Sequence, residues 1–70
     1  MLVILHPNTD ETSGEYKQTW NHLHGLKDIR LKKHNVQGRG QRLTEIYLIG
    51  DTAKVNQEEI KSLPAVESVV

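Results

Sequence analysis

Seventy residues make at most one domain, residues 1–70, with a core thin enough that association is an expected supplement to its stability. Nine Lys and Arg balance nine Asp and Glu, which counts against a general nucleic-acid binder, and the lack of cysteine excludes disulfide frameworks and cysteine-based zinc sites. Absence of cysteine fits a cytoplasmic chain, and the apolar run Leu2–Leu5 is too short for a signal peptide or a membrane span.

In chain order, Leu2-Val3-Ile4-Leu5 predicts a short strand ended by Pro7, which has no N–H for a ladder. Asn8 with Glu11 three residues on has the spacing of a capping box and predicts a helix start. Tyr16, Trp20 and Leu23, with the stem of Lys27, then recur at helical spacing and mark the face turned to the core. Gly14 weakens this helix, and Gly25 is expected to end it in a left-handed conformation. Residues 28–34 alternate polar and apolar, with Ile29 and Leu31 against Asp28, Arg30 and Lys32, as in a half-buried edge strand. A hairpin loop is expected over 35–41, around Gly38 and Gly40, followed by a strand from Leu43 to Ile49. Asn56 and Glu59 form a second capping-box pattern, and Val55 and Ile60 stand where a hydrophobic staple would place them. Pro64 ends this helix, and Val66, Val69 and Val70 complete a last strand.

The order strand–helix–strand–strand–helix–strand predicts an α+β, ferredoxin-like βαββαβ fold: a four-stranded antiparallel sheet with two helices on one face. The first and third strands are then central. They are also the two that are apolar without alternation, as expected where both faces are covered. Two helices cover only one face, so the other is expected to pack on another copy or another domain. Candidate interface or ligand residues are Tyr47, Ile49, Val3, Leu5, Ile29 and Leu31. If Ile46 and Leu48 turn to the helices, Tyr47 and Ile49 turn to the open side.

Chemistry-bearing constellations are weak. His22 and His24 are two apart on a helix and point apart, and no His–carboxylate set has the spacing of a metal site. The carboxylates are scattered, with no acid–base pair or Ser–His–Asp arrangement, so neither catalysis nor a cofactor is expected from this chain. Lys32, Lys33, His34, Arg39 and Arg42 flank the glycine loop and could hold an anion, but they also suit a solvated hairpin tip. Trp20 and Tyr16 read as core residues.

Four stretches carry a family resemblance: MLVILHPNTDE at the start, GLK at 25–27, IYLIGD at 46–51 and SLPAVESVV at 62–70. In collinear order over nearly the whole chain, they resemble the N-terminal ferredoxin-like domain of one group of 3-deoxy-D-arabino-heptulosonate 7-phosphate (DAHP) synthases, enzymes that start the shikimate pathway. The resemblance implies a regulatory and association domain in aromatic amino acid biosynthesis, dimeric or packed on a (β/α)8 catalytic barrel, with an aromatic amino acid as allosteric effector. The barrel holds the catalytic and metal residues of that family, so none transfers to this chain. The His and Ser that hold the inhibitor in regulated members have no counterpart at 28–31. The chain would then be a fragment of such a synthase or a free-standing relative. The alternatives are a stand-alone amino-acid-sensing (ACT-like) or protein-interaction module and, disfavoured by charge and aromatic content, a nucleic-acid-binding ferredoxin-like domain.

Overall fold

In the computed structural model, which describes residues 1–70, β1 spans Leu2–Leu5, α1 Gly14–His24, β2 Ile29–Gln37 and β3 Arg42–Gly50. A 3-10 turn at Thr52–Lys54, α2 at Gln57–Lys61 and β4 at Val66–Val69 follow. The strands form one antiparallel sheet in the order β2-β3-β1-β4, so the two apolar strands are indeed the central pair. This is the ferredoxin-like α+β arrangement.

Register decides which side chains meet the helices. Val3 pairs with Ile46, which pairs with Lys33, and Leu31 pairs with Leu48. Val3, Leu5, Ile46 and Leu48 therefore share one face, where they pack with Tyr16 and Leu23 of α1 and Ile60 of α2. Two buried polar groups are also placed there with partners. The Thr19 hydroxyl donates to Glu15 O (2.9 Å) and accepts from the Ala65 N–H (3.2 Å), tying α1 to the turn before β4. Thr44 Oγ1 and Asn35 Oδ1 lie 3.1 Å apart across β2 and β3.

Both helix starts follow from their caps, but not both from the expected residue. Asn56 does cap α2, its side-chain oxygen accepting from the N–H groups of Glu58 (3.0 Å) and Glu59 (3.3 Å). Val55 packs against the core cluster that contains Ile60, as a staple requires. At α1 the cap is Ser13, whose hydroxyl oxygen accepts from the Tyr16 N–H (3.2 Å). Asn8 does different work: at φ 58° it exchanges bonds with Arg42, donating its N–H to Arg42 O and accepting from the Arg42 N–H at Oδ1, both 2.8 Å. The loop after β1 is thereby clipped to the start of β3. Gly14 is consequently the first residue of α1, where glycine costs less than in mid-helix.

Three further expectations are corrected. Gly25 closes α1 at φ −82°, and the left-handed residue is instead Asp28 at φ 60°, a residue type that tolerates it. The hairpin loop is confined to residues 38–41, because β2 and β3 continue pairing to Gln37↔Arg42. The last strand stops at Val69, although Val70 still exchanges backbone bonds with Leu2. No helix is long and apolar enough to cross a membrane.

Candidate functional site

Strand alternation turns Leu2 and Ile4 of β1 and Tyr47 and Ile49 of β3 away from the helices. These four form an apolar centre on the open face of the sheet. Tyr47, level with Leu2 and Lys32, is 37% exposed, and Ile49, beyond the β1 pairing and beside Arg30, is 49% exposed. The β2 side of the face is cationic: Arg30 lies across from Ile49, Lys32 across from Tyr47, and His34 across from Glu45. His34 Nδ1 approaches Glu45 Oε1 at 3.5 Å. Lys32, His34, Tyr47 and Ile49 line a shallow hollow of about 400 Å3, which joins a cation to an aromatic wall.

Of the six residues expected at this surface, Tyr47 and Ile49 lie on it. Val3 and Leu5 do not: both are fully buried under the helices, because pairing with β3 aligns Val3 with Ile46 on the covered face. Ile29 and Leu31 also pack against the core cluster, as partly buried residues of an edge strand. The open-face positions of β1 are Leu2 and Ile4. Even spacing from Ile46, once Ile46 is assigned to the core, is the signal that would have found them.

The covered side carries its own polar rim. Lys33 Nζ donates to Glu11 Oε1 at 2.6 Å and stands 6.0 Å from the Tyr16 ring centroid. The hydrogen bond from Lys33 holds the Glu11 carboxyl below its ordinary range, and the same bond raises Lys33. Burial pushes the Tyr16 hydroxyl up. Asp10 is held low by accepting from the Thr12 N–H (2.8 Å) and hydroxyl (2.7 Å). Tyr16 stacks with Trp20 at 6.2 Å between centroids, so these two aromatics serve packing.

The histidines do not converge. His6 lies 3.7 Å from Glu67, His22 3.1 Å from Glu59 and His34 3.5 Å from Glu45, each on a different pair of elements. No three His, Asp or Glu side chains are grouped as a metal-ligand set.

Zero net charge conceals a segregation. Residues 29–44 hold five of the nine Lys and Arg and not one carboxylate. Within the fold Lys33 is taken up by Glu11, and Arg42 donates to Thr9 O at 2.6 Å. Arg30, Lys32 and Arg39 have no acidic partner.

No family model matches the sequence, and no curated protein matches it at a significant level.

Proposed function

We propose that this chain is a non-catalytic association and regulatory module of the kind found at the N-terminus of DAHP synthases, working in the cytoplasm by burying its open sheet face on a protein surface. One observation carries the reading: Leu2, Ile4, Tyr47 and Ile49 place an apolar patch at the centre of a face that this chain's own helices leave uncovered. Removing such a patch from water is favourable at about 25 cal/mol per Å2, and a domain with so few buried residues gains proportionately from it. An effector binding at or beside the face would then regulate only through unequal affinity for the covered and uncovered states.

Sedimentation of the chain from about 1 to 100 µM tests this. The wild type should associate as concentration rises, and Tyr47→Asp should remain a folded monomer. A wild type that stays monomeric and binds no protein partner through this face would overturn the reading.

A second reading rests on its own observation, the hollow lined by Lys32, His34, Tyr47 and Ile49. A cation beside an aromatic wall suits the carboxylate and side chain of an amino acid, the chemistry of an amino-acid-sensing domain. Titration with tyrosine and phenylalanine, following backbone amide shifts together with oligomer size, separates the two. Shifts confined to 32–34 and 47–49 without a change in size favour sensing alone.

A further inference from the structure

The proposed function leaves open what covers the face, and charge placement narrows the chemistry of the cover. Strand pairing sets the open-face residues in levels across the sheet. Lys32 of β2, Tyr47 of β3 and Leu2 of β1 share one level, which Val70 joins by exchanging backbone bonds with Leu2. On one side of that level Arg30 stands beside Ile49, past the end of the β1 pairing. On the other side His34 and Glu45 stand beside Ile4, and there imidazole and carboxylate already meet at 3.5 Å. At the levels of Arg30 and Lys32, therefore, cations flank apolar side chains and no carboxylate is present. Neither cation has an acidic partner in the fold.

Whatever lies on Tyr47, Ile49 and Leu2 takes water from both cations, which is costly unless the cover supplies negative charge. A second copy would bring the same surplus of cations to the interface and is the poorer cover. Dimensions point to a helix instead. The apolar residues occupy two neighbouring strands, β3 and β1, a band about 10 Å wide, and one α-helix has about that diameter. Arg30 and Lys32 are about 7 Å apart along β2, and carboxylates at i and i+4 of a helix are about 6 Å apart along its axis. A helix laid along β3 thus seats an apolar stripe on the band while acidic side chains on its flank meet the cations.

We propose that the open face docks an acidic amphipathic helix of a partner protein, with carboxylates one turn apart on Arg30 and Lys32 and an apolar stripe on Tyr47 and Ile49. This rests on the association reading above and names the partner's chemistry. Self-association at high concentration joins two faces that each carry the cationic surplus, so an acidic helix should displace it.

Two helical peptides of about 18 residues with the same leucine stripe, one flanked by glutamates and one by lysines, test this. Titration into the isotopically labelled chain at about 20 mM salt, where surface charges act over roughly 20 Å, reads amide shifts and affinity together. The acidic peptide should bind about tenfold more tightly than the basic one, with shifts at 30–32 and 47–49. That preference should fade at about 0.3 M salt. Lys32→Glu should abolish or reverse it and Lys32→Arg should keep it, whereas Tyr47→Ser should weaken both peptides alike. Circular dichroism checks that the variants are folded. Equal binding of the two peptides, or shifts elsewhere on the chain, would overturn the acidic helix and leave the association reading intact. A chain that self-associates in sedimentation and binds neither peptide would make a second copy the cover, again without loss of that reading. A single-stranded oligonucleotide that shifts these amides where the acidic peptide does not would assign the cations to phosphate and overturn the protein partner. A chain that stays monomeric and binds neither peptide nor any protein would overturn the association reading itself.

Discussion

β3 presents two faces built from similar residues with opposite fates. Thr44, Ile46 and Leu48 are almost completely buried, whereas Tyr47 and Ile49, one residue out of phase, are exposed. Propensity and hydrophobicity do not separate the two sets; what lies above them does. The helices cover one side, so an apolar residue count along β3 overstates the core of a single copy and understates its appetite for a partner.

Truncating each side by the same atoms is the largest test of that contrast. Ile46→Ala removes a fully buried side chain and should cost about 2–5 kcal/mol, enough to unfold much of a domain this small. Ile49→Ala should change the stability of dilute protein by only about 0.5 kcal/mol while weakening self-association. Urea denaturation below the association range checks both. Equal losses at 46 and 49 would mean that the two faces are equally packed within one copy, and the contrast would fail.

Gly50 offers the next test, since it helps hold the register that keeps the faces distinct. It pairs with Ile29 at φ 133°, and a Cβ added there would collide with the carbonyl oxygen of Asp28. Gly50→Ala must therefore strain or move the base of β2, at a cost of about 1–3 kcal/mol or more. A one-residue slip to escape that clash would exchange the inward and outward sets of the edge strand. The outcome expected is lower stability together with increased protection of Arg30 and Lys32 side chains or added aggregation. Gly40→Ala, at φ 68° with open space around it, should cost about 1 kcal/mol and leave the faces unaltered.

The element order was legible because each turn has local chemistry: Pro7, the Asn56 cap with its Val55–Ile60 staple, and Pro64. The central position of β1 and β3 was legible in their unbroken apolar runs. What escaped is nonlocal. Residues 8–13 contain several competent caps, and the choice of Ser13 follows from Asn8 being engaged by Arg42, 34 residues away. Strand ends at Gln37 and Arg42 depend on ladder bonds rather than on hydrophobic alternation, which stops near Leu31. The candidate surface was half legible for the same reason. Tyr47 and Ile49 were placed by alternation along one strand, but Val3 and Leu5 could be assigned to a face only through their pairing with β3. Likewise, balanced total charge hid a stretch, residues 29–44, without a single carboxylate.

The smallest effect belongs to the rim of the covered face, where Glu11 meets Lys33. Glu11 is held below its ordinary value near 4.5 by the Lys33 hydrogen bond, so its contribution is present above that value and disappears as pH falls through the lowered one. Lys33 is raised above 10.5, so its contribution is present below that value and is lost only as pH rises through the higher one. The pair thus stabilises on a plateau between these limits, with an acid limb that belongs to Glu11. Both side chains are about one-third exposed, so solvent screening keeps the whole effect to about 1 kcal/mol or less. Urea midpoints between pH 3 and pH 7 should fall more steeply for the wild type than for Glu11→Gln, with the two curves converging at the acid end. Parallel curves would show that the exposed rim adds nothing, and that the covered face owes its stability to its apolar interior alone.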